Sequence, residues 1–332
     1  MKSGLALRAT PDTPQMAEAA AAPVGTVTTA APAALVRADT AFGAVLRGRS
    51  SDFLALTKPR LNLLVLVTAL GGMYLAVPHG LAPLTLLHAL IGTALVAGGS
   101  AALNQVWERD TDGLMRRTRM RPVPDGRLDA GTGAAFGSVL SLAGLIQLAV
   151  AVNLLSAVVA AVTLASYVLL YTPLKRRTWL STIVGAFPGA LPPVIGWTAA
   201  TGDLSPAAVA LFGIVFCWQI PHFLSIAWLY REDYARAGLP LLPVIEPDGR
   251  STGRQAVAYA AALLPVSIAP AFFELAGAVY VVAALLLGGA LLALSARFAR
   301  ERSTTSARRL FFASIAYLPI LWGLLVIDRL WL

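Results

Sequence analysis

Asn104, Glu108 and Asp112 stand at i, i+4 and i+8. On a continuous helix that spacing places all three on one stripe, while Asp110 points elsewhere. Two carboxylates one turn apart repel each other, and a divalent cation removes that cost. Mg2+ takes oxygen ligands and is commonly shared between one or two carboxylates and the phosphates of a substrate. A solvated helix end is the plainer alternative. Arg116, Arg117, Arg119 and Arg121 follow closely, then Pro122-Val123-Pro124 and Arg127. Guanidiniums grip phosphate oxygens in pairs, so carboxylates followed by arginines suit a diphosphate cradle. Topological anchoring, or attraction to anionic lipid, accounts for the same arginines equally well.

Two further clusters carry chemistry. Tyr171-Thr172-Pro173-Leu174-Lys175-Arg176-Arg177 offers Lys175 and Arg176 to phosphate oxygens. Tyr171 offers a hydroxyl, or a ring face to a carbocation. Trp218-Gln219-Ile220-Pro221-His222-Phe223 sets Gln219 and His222 in an apolar stretch, where polar side chains usually face a bundle interior or a cavity. His222 has the chemistry to ligate iron, shuttle a proton or hydrogen-bond across helices. Asp233, about three turns further on if the helix continues, is placed to complete a second metal site. His79 and His88 read as interfacial residues on the opposite side, and Cys217 as a small core residue.

The elements that must position these groups are membrane helices. The chain has 332 residues, 57% hydrophobic and 13% charged. Soluble domains carry about 25% charged residues, so an ordinary cytosolic globule is excluded. The single cysteine, Cys217, rules out an intrachain disulfide and any multi-cysteine metal centre. About 20 apolar residues span a bilayer core. Nine stretches come close to this, at 61–77, 82–106, 134–152, 155–171, 182–200, 207–229, 256–273, 277–296 and 310–327. They are too long and too evenly apolar for barrel strands. The fold class expected is therefore all-α, a polytopic bundle with a central cavity opening on the cytoplasmic side. All but Arg329 of the 26 Lys and Arg residues fall before the first stretch or in breaks of one parity. That asymmetry puts the N-terminus and the basic loops in the cytoplasm. The fifth stretch, with Gly185, Pro188, Gly189, Pro192, Pro193 and Gly196, is expected to kink and line a pocket. Residues 1–50, rich in Ala, Pro and Thr, read as a disordered cytoplasmic tail, and 51–332 as the membrane domain.

Taken together, the motifs resemble those of the UbiA-type intramembrane prenyltransferases, and within them the haem-farnesylating branch. The resemblance covers roughly residues 53–330. It rests on Asn104 through Asp112 with Met115, Arg117-Thr118 and Arg121-Pro122. It rests also on Tyr171-Thr172-Pro173-Leu174-Lys175-Arg176 followed by Gly189-Ala190-Leu191-Pro192-Pro193-Val194-Ile195-Gly196-Trp197, and on Trp218 through Phe223 followed by Asp233-Tyr234. The first string alone points to the superfamily; the second and third point to the haem branch. Glu108 stands where the superfamily often has Asp, and Gln219 and His222 where the quinone branch carries aspartates.

The resemblance implies farnesyl transfer from farnesyl diphosphate to a vinyl group of haem B. It implies Mg2+ held by Glu108, Asp112 and Asp233, with catalysis by Asn104, Glu108, Asp112, Tyr171 and Lys175. Arg117, Arg121, Lys175 and Arg176 would grip the diphosphate, and Gln219 and His222 would face the haem. The setting it implies is a bacterial inner membrane, with haem A synthase or oxidase assembly factors as protein partners and no nucleic acid. Two rivals remain at this level: the same fold acting on a quinone or chlorophyll precursor, and a transporter or non-catalytic haem carrier. Transporters usually place polar groups at mid-membrane, whereas the ionisable residues here gather at one face.

Overall fold

The computed structural model describes residues 49–77 and 80–330. The tail expected over 1–50 thus lies outside the described residues except for its last two, and so does His79. Among the described residues every regular element is a helix, and nine helices are long and apolar enough to cross a membrane. They are α1 (Pro59–Ala76), α2 (Pro83–Leu114), α3 (Ala130–Ala151), α4 (Leu154–Leu174), α5 (Ser181–Thr201), α6 (Pro206–Leu229), α7 (Arg250–Phe273), α8 (Ala278–Glu301) and α9 (Thr304–Arg329).

Several helices outrun their apolar stretches on the basic side. α2 continues past 106 to Leu114, α7 begins at Arg250 instead of 256, and α9 begins at Thr304 instead of 310. Apolarity marks the length in hydrocarbon, but helical hydrogen bonding continues until a cap ends it. Ser303 supplies such a cap: its hydroxyl accepts from the Ser306 amide at 3.1 Å, and the Ser306 hydroxyl answers the Ser303 amide. α6 does the reverse. It stops at Leu229, and a separate short helix, Arg231–Arg236, follows Tyr230. The condition for Asp233 to join His222, that the helix continue, is therefore not met: the chain breaks between them.

Small residues bring the helices together. A Cβ on Gly144 of α3 would lie 2.6 Å from the Gly92 carbonyl of α2, so only hydrogen fits where these backbones meet. α1 meets the second half of α5 in the same manner, at Gly72 against Pro193 and Gly196 against Ala69. The outer faces carry Leu63, Val139, Leu142, Val150, Val279 and Leu286, all exposed and suited to lipid tails.

Two irregularities shape the interior. α4 widens into a π-helical segment, Ser166–Tyr171, before its last turn. α5 is two helices, Ser181–Ala190 and Pro192–Thr201, broken at Leu191. Pro192 cannot donate to an upstream carbonyl, so the kink expected from the breakers is present. Gly185, Pro188, Gly189, Pro192 and Ile195 line a cavity of about 490 Å³.

Candidate active site

The extended end of α2 carries the acidic stripe. Asn104, Glu108 and Asp112 are all buried, whereas Arg109 and Asp110 on the other side of the helix are exposed. Each member of the stripe meets a partner from outside its helix. The Asn104 carboxamide oxygen accepts from Lys58 Nζ at 2.9 Å, and its amide donates to Thr172 Oγ1 at 3.2 Å. Lys175 Nζ donates to both carboxylate oxygens of Glu108 at 2.9 Å. Arg121 reaches back from the loop after α2 to Asp112 Oδ2 at 2.5 Å. The other oxygen, Asp112 Oδ1, is buried with no hydrogen-bond partner.

The cations stand between these carboxylates and the cavity. Lys58, Arg117, Arg121 and Lys175 all line it, while Glu108 and Asp112 sit behind. Two arginines and two lysines on one wall, backed by only two buried carboxylates, make that wall an anion receptor. Arg117 is steadied by Tyr234, whose hydroxyl it meets at 3.2 Å, and lies over the Tyr230 ring at 5.1 Å. Burial and the nearby Arg121 guanidinium pull the Lys58 ammonium down to about 7. Burial also opposes charge on Lys175, but Tyr171 and the Glu108 carboxylate outweigh it and hold this ammonium above the ordinary lysine value.

In the sequence Lys58 is only one of the basic residues that precede the first apolar stretch, and its place at the site depends on backbone geometry. It sits just before α1 with φ 50 and ψ 62, in the left-handed region that a side chain, and a following proline, disfavour. Such strain persists where the surroundings over-determine it, and here it coincides with the Asn104 contact. Tyr167 was also missed. The π-helical turn sets it against Tyr171, with ring centroids 5.3 Å apart and planes at 23°, and both rings line the cavity. A π segment leaves no signature in hydropathy.

Two expected residues stand elsewhere. Arg176 is exposed and does not line the cavity; only Lys175 of that pair turns inward. Asp233 is ion-paired with Arg236 one turn along its short helix and is likewise absent from the cavity wall. Among the described residues no three His, Cys, Asp or Glu side chains are grouped to hold a metal ion, so Asp233 does not join Glu108 and Asp112 in one cluster. The cause is the break at Tyr230. His88 bonds Gln147 of α3 at 2.6 Å, and Cys217 is buried.

The rest of the cavity is apolar and aromatic, and it is walled by α6. Gln219 is buried and donates to the Ala186 and Val215 carbonyls at 3.2 and 3.1 Å, tying α6 to the first half of α5. His222 lies between the rings of Trp218 and Phe311, with centroids 5.1 and 5.3 Å away. Both Gln219 and His222 line the cavity.

A bundle of membrane helices around an apolar chamber, with cations and buried carboxylates at one mouth, defines an intramembrane enzyme for a phosphorylated, lipid-like substrate. The model of the UbiA prenyltransferase family matches residues 65–317. A protoheme IX farnesyltransferase of Solibacter usitatus is 52% identical over 287 residues, covering 84% of this chain and 98% of that one. Among solved structures, a digeranylgeranylglyceryl phosphate synthase superposes with a TM-score of 0.74 at 14% identity, covering 86% of this chain and all of its own. A UbiA homologue from Archaeoglobus fulgidus, bound to GPP and Mg2+, gives a TM-score of 0.56 at 17% identity, covering 82% and 99%. The chain belongs to the UbiA prenyltransferase family. It is an integral multi-pass membrane prenyltransferase.

Proposed function

We propose that this enzyme transfers the farnesyl group of farnesyl diphosphate to a vinyl group of haem B, giving haem O for haem–copper oxidase biogenesis. The observation that carries the reading is the cationic wall of Lys58, Arg117, Arg121 and Lys175, backed by buried carboxylates and opening onto an apolar, aromatic chamber. It is supported by the 52% identity to a protein named protoheme IX farnesyltransferase.

In the reaction the allylic C1–O bond of the farnesyl group breaks and its electron pair leaves with the diphosphate. The vinyl π pair forms the new C–C bond. Water adds at the adjacent carbon and loses a proton, leaving a hydroxyl. The four cations stabilise the charge that grows on the leaving oxygens. To reach them, Lys175 and Arg121 turn from Glu108 and Asp112 toward the diphosphate, which frees the two carboxylates. The stacked Tyr167 and Tyr171 rings offer π faces to the allylic cation. The apolar walls keep bulk water from it.

The residues present fit Mg2+. Asp112 Oδ1 is a buried oxygen with no partner, and Glu108 lies one turn away. With Asn104 they would hold the ion together with diphosphate oxygens, a mode that needs no all-protein cage. Bound there, Mg2+ supplies further neutralisation of the leaving group.

The basic loops face the cytoplasm, as the one-sided distribution of Lys and Arg supports, and the membrane is the inner membrane of a bacterial cell. The farnesylated product stays in the bilayer, where a haem A synthase or an oxidase assembly factor would receive it. The test is incubation of purified protein with haem B, farnesyl diphosphate and Mg2+, with the product read by mass. A farnesylated, hydrated haem is expected. Release of diphosphate only with a quinone precursor would overturn the haem assignment.

A further inference from the structure

The environment of His222 fixes which of its ring nitrogens carries the proton. Its Nδ1 lies 2.8 Å from Ser314 Oγ of α9. That hydroxyl also lies 2.7 Å from the Phe311 carbonyl oxygen, which can only accept. A serine has one hydroxyl proton, and here it goes to the carbonyl. Ser314 Oγ therefore accepts from His222, and the Nδ1 nitrogen is the protonated one. In a neutral imidazole this leaves Nε2 with the lone pair.

The ring is also fixed in orientation. Trp218 stacks on it with planes at 17° and Phe311 with planes at 23°. Trp218 is itself held by its indole N–H, which donates to the Ser314 carbonyl at 2.7 Å. A neutral imidazole that gives its one N–H to a fixed acceptor, and so keeps its lone pair on the other nitrogen, is the arrangement of a metal-ligating histidine. His222 is also the only histidine or cysteine on the cavity wall among the described residues. Inter-helix bonding alone would use Nδ1 and give no reason for the side chain to line the cavity.

We propose that His222 Nε2 is the axial ligand to the iron of the haem acceptor, with Ser314 as the positioning residue that sets its tautomer. This rests on the haem reading above and adds to it the contact that holds the macrocycle. Iron ligation fixes the centre of the macrocycle at the α6 wall, against His222. Its vinyl groups then become the parts able to swing toward the prenyl cation.

The test is titration of the purified full-length protein with haem B, without farnesyl diphosphate, followed by Soret absorption and by resonance Raman detection of the iron–histidine stretch. Wild type should show histidine ligation. His222→Gly should lose the signal and weaken haem binding at least about 10-fold, and added imidazole should restore it. Ser314→Ala should keep the ligand but weaken binding about 10- to 100-fold, whereas Ser314→Thr should stay near wild type. Unchanged binding of farnesyl diphosphate by each variant reports an intact fold. An unaltered haem spectrum and affinity in His222→Gly would overturn the proposal while leaving haem as the acceptor. Absence of haem B binding to wild type would overturn the haem reading itself.

Discussion

Lys175 Nζ stands 2.9 Å from both carboxylate oxygens of Glu108, although one follows the end of α4 and the other lies on α2, and both are largely buried. A buried pair of this kind contributes little net stability over an apolar pair, but breaking one side leaves an uncompensated charge. Lys175→Ala should therefore destabilise the protein by about 3–5 kcal/mol as well as abolish turnover. Lys175→Ala combined with Glu108→Gln should recover the melting temperature without recovering activity. Thermal unfolding in detergent beside a diphosphate-release assay separates the two effects.

Asp112 has one oxygen on Arg121 and one without a partner. Asp112→Asn retains the volume and removes the charge. Product formation should fall at least about 100-fold, the scale of losing one preorganised electrostatic contact. Folded protein should still be recovered from membranes, and Mg2+ should no longer protect it against heat. Normal turnover would remove Asp112 from the proposed cation site.

Lys58 is held in a left-handed backbone conformation with its ammonium on Asn104. Lys58→Met should raise the KM for farnesyl diphosphate about 10-fold or more, as expected for a lost charge-assisted contact. Lys58→Arg should restore part of it. A KM equal to wild type in Lys58→Met would return this residue to a purely topological role.

Gly196 faces the Ala69 backbone, where a Cβ would collide with the carbonyl, whereas Gly113 has nothing within 4 Å of an added Cβ. Gly196→Ala should cost about 1–3 kcal/mol or more through separation of α1 from α5. Gly113→Ala should be nearly neutral. Yield of folded protein after detergent extraction, with melting temperature, is the measurement.

Orientation can be read by labelling. Arg300 and Asp203 are both exposed and lie at opposite ends of the bundle, and the native Cys217 is buried. Arg300→Cys should react with a membrane-impermeant maleimide only in inverted vesicles, and Asp203→Cys only in intact spheroplasts. The opposite pattern would reverse the topology.

The sequence by itself determined the number of crossings, the side on which the cations gather, and the stripe of Asn104, Glu108 and Asp112. Hydropathy and a four-residue spacing are properties of one helix, and they are legible without knowing its neighbours. Only the tertiary structure decided the partners. Glu108 meets Lys175 and Asp112 meets Arg121 because glycine contacts fix how closely the helices approach, and because a π-helical turn and a proline break set where α4 and α5 point. The same geometry turned Arg176 outward, left Asp233 with Arg236, and brought in Lys58 and Ser314, whose local sequence gives no sign of the residues they would touch. The path of a helix after a break depends on what it packs against, and that information is spread over the whole chain.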